Sequence, residues 1–328
     1  MKQPISAFLL VFVILSSTLI SCTTNSKKKE EAADESTLAA VDQYVEGVME
    51  RLGIPGAGVA ILKDGKTIHE NYYGLANIAH KAPSHSNAIF PIFSATKIPV
   101  ITAIFKLIEE NKINLEDEIS TYLEDLPDNW KSIQIKYLLA HSSGLPDVVA
   151  YQNDSEEVMK SKVYQDDFLF EKGANWNYNQ TNFWILARII QRVTGNSFES
   201  HLLKSQFEEN NTSVLFSTNM LEIIPNRAHR YTPLNDRGKM ELDKQINASH
   251  LNSCNGLNLT LPKFIEWSKK FENGAFISEK SKEAMWAPFH FTIGGPEFAY
   301  GWEIHNINDH ASYGFSGGFT TAFRTFPI

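Results

Sequence analysis

The chain has 328 residues, 43% of them hydrophobic and 21% charged, with a formal net charge of -8. That length can bury a large core in one or two domains. The acidic balance, without a basic stripe, argues against nucleic acid, whose phosphates need clustered Lys and Arg. Only two cysteines occur, Cys22 and Cys254, in such different contexts that no mutual disulfide is expected.

Lys2 supplies a positive start, and Ile5 to Ile20 form an apolar stretch too short for a comfortable membrane span. Leu19-Ile20-Ser21-Cys22 closes it and resembles the bacterial lipobox, in which cleavage before the cysteine leaves its thiol carrying diacylglycerol. The expectation is an exported lipoprotein anchored to a membrane of the bacterial cell envelope through Cys22. Residues 1–22 read as its signal peptide. Residues 23–37, polar and charged around Lys27-Lys28-Lys29-Glu30-Glu31, read as a flexible tether, and the domain as 38–328.

Within the domain, Leu38, Val41, Val45, Val48 and Leu52 recur at helical spacing. Gly53 to Gly58 break the pattern, and Val59-Ala60-Ile61-Leu62 begins an extended run. Asp64-Gly65 marks a hairpin turn, because Gly takes the positive φ that a tight hairpin requires, and a second strand is expected around Thr67 to Tyr73. Helical periodicity returns in Val100, Ile101, Ile104, Phe105 and Ile108, and in Phe183, Leu186, Ala187, Ile190 and Val193 ahead of Gly195. Pro99 conflicts with a regular helix at that point and implies a late start or a kink. Phe298 to Ile304 and Thr320 to Phe326 read as extended. Strands at both ends with helices between imply an α+β fold: one antiparallel sheet built from both termini, flanked by helices, with a mostly helical insertion.

Three pieces carry chemistry. Ser94-Ala95-Thr96-Lys97 stands where an extended apolar run gives way to a helical one, so the Lys97 amine is expected within reach of the Ser94 hydroxyl. The spacing alone is weak: Ser26 and Lys29 share it inside a lysine run. Tyr178 lies on the loop Gly173 to Asn182 that leads into a helix, a position equally suited to packing. Gly314-Phe315-Ser316-Gly317-Gly318 precedes a strand; its glycines let a substrate approach the backbone, where the Gly318 amide could point at an acyl oxygen, or they form only a turn.

Together with Gly53-Ile54-Pro55-Gly56, Lys63-Asp64-Gly65-Lys66, Leu138-Leu139-Ala140-His141-Ser142-Ser143-Gly144-Leu145-Pro146 and Tyr300-Gly301, these pieces resemble the serine β-lactamase-like family of class C β-lactamases, DD-peptidases and esterases. The resemblance implies a β-lactamase/transpeptidase-like fold and acyl-enzyme hydrolysis without cofactor or metal. It makes Ser94 the acylated nucleophile, Lys97 the group that eases removal of its proton, and Tyr178 the second proton-transfer group. The Ser94 and Gly318 amides become the oxyanion hole, and Gln180, Phe315, Ser316 and Gly317 become substrate contacts. Which of Lys97 and Tyr178 is the base stays open. His141 falls on a position that the resemblance makes structural.

Three departures qualify the likeness. Tyr178-Asn179-Gln180 stands where most relatives have Tyr-x-Asn, lengthening the amide arm by a methylene. Phe315 stands where relatives usually have Lys or His, removing the cation that holds a substrate carboxylate and tilting the expected acyl substrate toward an ester or uncharged amide, small-molecule or peptide. Relatives continue beyond the final strand, so a C-terminal truncation with poor stability is expected at Ile328. These departures keep a second reading open, a non-catalytic surface lipoprotein that uses the fold as a binding module. Gly314 to Gly318 also fits Gly-x-Ser-x-Gly, but no Asp, Glu or His follows it, which excludes an α/β-hydrolase order. The ten histidines show no zinc-protease spacing.

Overall fold

The computed structural model describes residues 35–207, 212–232, 240–318 and 320–327. The expected signal peptide, its Cys22 and tether residues 23–34 lie outside the described residues. The remaining tether residues, 35–37, are helical, because α1 (Glu35–Leu52) begins at Glu35.

The hairpin follows as expected: β1 (Gly56–Lys63) pairs antiparallel with β2 (Lys66–Asn77) across Asp64-Gly65, both at positive φ. β3 (Ala82–Pro83) extends that sheet, and β4 (Ile89–Pro91) leads through a 3-10 turn, Phe93–Thr96, into α2 (Lys97–Glu109). Pro99 causes no kink there. It is the third residue of α2, within the first turn, where its missing N–H has no intrahelical acceptor to lose.

Among the described residues the middle of the chain is helical: α3 (Ile135–Leu139), α4 (Glu156–Val163), α5 (Gln180–Thr194) and α6 (Phe198–Gln206). α5 is capped at its start by the Asn179 side chain and at its end by Gly195 at φ 70°. β5 (Val214–Phe216), α7 (Asn252–Asn255), β6 (Leu257–Thr260), α8 (Leu261–Glu272) and α9 (Glu279–Trp286) precede the last strands, β7 (Glu303–Ile307), β8 (His310–Gly317) and β9 (Thr321–Thr325).

The α+β expectation holds, with antiparallel sheets flanked by helices. The single sheet does not: among the described residues there are separate three-stranded sheets, ordered β1-β2-β3, β4-β6-β5 and β7-β8-β9. Side-chain packing, rather than a shared ladder, joins the terminal two. Both rest on α8, where Leu261 meets Gly58 of β1 and Phe264 meets Phe323 of β9 with ring centroids 5.3 Å apart.

The core runs through α2, which packs against α5 and α6 and whose residues Ile98, Val100, Ile101 and Ile104 are fully buried. Truncating any of the three isoleucines to Ala costs about 2–5 kcal/mol. That burial fixes the axis of α2, and with it the turn at its N-terminus.

Candidate active site

Ser94 sits on the 3-10 turn that enters α2, and its neighbours set its position through the backbone. Ile92 N–H donates to Leu257 O at 3.0 Å, and Leu257 N–H donates to Thr96 Oγ1 at 3.0 Å, fastening both ends of the turn to β6. Phe93 is held at φ 47°, a conformation that costs a bulky residue about 1–3 kcal/mol. The close of β8 presses on the same turn: a Cβ added to Gly317 would lie 2.1 Å from Ile92 O and 3.1 Å from Ser94 N. Only glycine permits this approach, and Gly318 follows at φ 54°. The Ser94 and Gly318 peptides are thereby brought to one edge of the cleft.

The opposing wall is the loop carrying Tyr178. His141, itself at φ 52° and fully buried, accepts from Asn179 N–H at Nδ1 (3.1 Å), and its carbonyl accepts from Asn177 N–H (2.8 Å). Asn182 Nδ2 also donates to Nδ1 at 3.1 Å, and Asn182 Oδ1 accepts from Ser143 Oγ at 2.6 Å. Asn179 Nδ2 donates to Leu145 O at 2.5 Å, and Gln180 N–H donates to Asp147 Oδ1 at 3.2 Å. With two donors on Nδ1, the His141 imidazole is the neutral Nε2–H tautomer. Burial, helped by the nearby Lys97 cation, pushes its pKa well below the ordinary value. The segment from His141 to Asp147 is therefore the cradle of the Tyr178 loop, and His141 is structural. Burial raises the Asp147 carboxyl above the usual carboxylate range, against the pull of the Val149 and Gln180 N–H groups and Lys97.

Between these walls the Tyr178 hydroxyl donates to Ser94 Oγ at 2.7 Å. A proton can pass either way along such a hydroxyl–hydroxyl bond. Lys97 is fully buried, and its Nζ donates to Gln180 Oε1 and to Cys254 O, both at 2.8 Å. The amine expected within reach of Ser94 is thus held by two carbonyl oxygens, and the Tyr178 ring, whose centroid lies 4.9 Å from Nζ, stands beside it. The Phe183 ring lies 5.1 Å from Nζ on the same amine. Among the described residues Lys97 has no carboxylate ion pair; carbonyl dipoles and aromatic faces compensate its burial.

The four positions expected to touch substrate differ in what they offer. Ser316 is exposed at the end of β8, Gly317 is buried against the nucleophile turn, and Gln180 is engaged by Lys97. Phe315 is 4% exposed and packs on Tyr178, with centroids 6.1 Å apart, so its influence on a substrate passes through Tyr178. Cys254, at the foot of the site, is buried and its thiol is pushed up to about 11 by desolvation. Its carbonyl, rather than its sulfur, serves Lys97; a backbone acceptor on a remote segment leaves no signal in the sequence. Among the described residues no group of three or more His, Cys, Asp and Glu could hold a metal ion.

Comparisons with known proteins give the family and the fold. The profile of the Beta-lactamase family matches residues 41–328. The protein Flp of Staphylococcus aureus (strain N315) is 29% identical over 175 residues, which is 50% of this chain and 35% of Flp. The chain therefore spans about a third of the length of that relative. The structure of the octameric penicillin-binding protein homologue from Pyrococcus abyssi superposes with a TM-score of 0.74 at 22% identity, covering 87% of this chain and 69% of that one. EstCE1, a hydrolase with promiscuous acyltransferase activity, superposes with a TM-score of 0.72 at 17% identity, covering 88% and 90%.

Proposed function

Because this chain belongs to the Beta-lactamase family of serine hydrolases, we propose that it hydrolyses an ester or uncharged amide through an acyl-enzyme on Ser94. The observation that carries this reading is the 2.7 Å hydrogen bond between Tyr178 and Ser94 Oγ, backed by the buried Lys97.

As Oγ attacks the acyl carbon, its proton passes to Tyr178 Oη. For that transfer Tyr178 must first give up its own hydroxyl proton, so that its oxygen accepts from the Ser94 O–H, and the Lys97 cation beside its ring offsets the charge. Tyr178 returns the Ser94 proton to the departing alcohol or amine when the carbon–leaving-group bond breaks. Water then enters by the same path: its proton passes to Tyr178, its oxygen attacks the acyl carbon, and Ser94 leaves reprotonated. The N–H groups of Ser94 and Gly318 receive the charge that develops on the acyl oxygen, where losing a single donor costs about 3 kcal/mol. The position of Ser94 ahead of α2 adds the positive end of the helix dipole.

Phe315 supports an uncharged substrate. Relatives usually carry a cation at that place in β8, whereas here an apolar ring packs on Tyr178 and offers nothing to a carboxylate. The likeness to EstCE1, a hydrolase with promiscuous acyltransferase activity, is in keeping with acyl transfer to water. Export and attachment to a membrane through a lipid on Cys22 form part of the proposal, supported by the sequence of residues 1–22. A Cys22→Ala variant that still incorporates labelled palmitate would overturn the anchor.

Turnover of p-nitrophenyl acetate and of nitrocefin by the purified chain tests the reaction. We expect ester hydrolysis, lost in Ser94→Ala, with nitrocefin a poor substrate. Efficient nitrocefin hydrolysis would overturn the role given to Phe315, and a folded protein inactive on every acyl substrate would favour the binding module.

A further inference from the structure

Arg230 reaches the oxyanion side of the cleft from a segment that the mechanism above does not use. Its Nη2 donates to Gly318 O at 3.1 Å, and its guanidinium carbon stands 4.5 Å from the centroid of the Phe93 ring. Phe93 immediately precedes Ser94, and its ring also lies against Gly318, where an added Cβ would come within 3.0 Å of Phe93 Cγ. The ring is therefore in contact with both Gly318 and the guanidinium. Asp243 accepts from Nη1 at 2.5 Å, and Gln245 Oε1 lies 3.4 Å from the same nitrogen. The Arg230 and Asp243 side chains are only 24% and 16% exposed.

The two residues that Arg230 touches, Phe93 through its ring and Gly318 through its carbonyl, are both at positive φ, 47° and 54°. Glycine adopts this conformation freely, but at Phe93 it persists only where the surroundings over-determine it. The donors assigned to the oxyanion hole belong to the residue after Phe93 and to Gly318 itself, so one side chain braces both of them. Arginine suits the task because its planar fork can hydrogen-bond a carbonyl and a carboxylate while its face stacks on a ring.

We infer that Arg230, fixed by Asp243, is a positioning residue that holds the Ser94 and Gly318 amides in the geometry that receives the developing oxyanion. This rests on the acyl-enzyme reading. A mere strut would affect melting alone, whereas a brace of the oxyanion hole acts in the transition state and so lowers kcat with little change in KM.

The experiment measures kcat and KM for p-nitrophenyl acetate, with thermal melting, for the full chain and for Arg230→Ala, Arg230→Lys and Asp243→Asn. Loss of one donor's alignment should lower kcat of Arg230→Ala by about 30- to 100-fold with KM within about threefold. Arg230→Lys should recover about tenfold of that, because an ammonium can still donate to the Gly318 carbonyl, and Asp243→Asn should lose about fivefold. The inference is overturned if Arg230→Ala keeps kcat within about threefold of the unmodified chain, if the loss lies in KM, or if Lys rescues nothing. Should Arg230→Ala fail to fold, Asp243→Asn decides: reduced kcat at constant KM supports the brace, and unchanged kcat overturns it. An unmodified chain inactive on the ester overturns the acyl-enzyme reading and this inference with it, an outcome visible before any variant is made.

Discussion

The two walls of the cleft are built by opposite means. The Ser94 wall is made by the backbone: a 3-10 turn tied to β6, Phe93 and Gly318 at positive φ, and Gly317 pressed so closely on Ile92 that no side chain fits. The Tyr178 wall is made by polar side chains, with His141, Asn179, Asn182 and Asp147 each bonding a neighbouring segment. A wall fixed by steric exclusion should fail abruptly when atoms are added. One fixed by several hydrogen bonds should fail by degrees, because each bond contributes about 1 kcal/mol net.

The largest expected effect of a single atom is at the junction of the walls. Tyr178→Phe removes the hydroxyl that meets Ser94 and should lower kcat on p-nitrophenyl acetate by about 10²- to 10⁴-fold while leaving the melting curve nearly unchanged. Gly317→Ala comes next: its Cβ would strike Ile92 O, so the oxyanion wall must shift, and we expect about 10²-fold lower kcat together with a lower Tm. If Gly317→Ala keeps full activity, the claim that close approach sets this wall is broken.

On the polar wall the effect is graded and depends on pH. His141 has its pKa depressed by burial, with Lys97 assisting, while in the unfolded chain it titrates near 6.5. The unfolded state therefore binds the proton first, and the stability that His141 contributes is present above about pH 6.5 and is lost as pH falls below it. Thermal melting between pH 7.5 and 5 should show a steeper loss in the unmodified chain than in His141→Gln, and equal slopes would remove His141 from the account. The smallest expected change is Gln180→Asn. The shorter amide loosens the Lys97 contact and should cost about threefold to tenfold in kcat, consistent with one charge-assisted hydrogen bond weakened but not abolished.

Much of this was legible from residues in local patterns. The Asp64-Gly65 hairpin and the apolar stripes of α2 and α5 announce themselves within a few residues, whereas Ser94, Lys97, Tyr178 and Gly318 stand out only through the family resemblance. What escaped the sequence depends on partners far along the chain. Lys97 is held by Gln180 and the Cys254 carbonyl, 83 and 157 residues away. Arg230 finds Gly318 across 88 residues and belongs to no motif. The division of the expected sheet escaped for a related reason: strand patterns reveal which face is buried but not whether two strands share a ladder or only the helix beneath them.

The central claim is that Ser94 is a nucleophile activated through Tyr178. Intact-mass measurement after treatment with a fluorophosphonate probe tests it most directly. The account predicts one adduct per chain, mapped to Ser94, absent in Ser94→Ala and formed at least about tenfold more slowly in Tyr178→Phe. A folded chain that takes up no probe, or one whose adduct persists in Ser94→Ala, would contradict it.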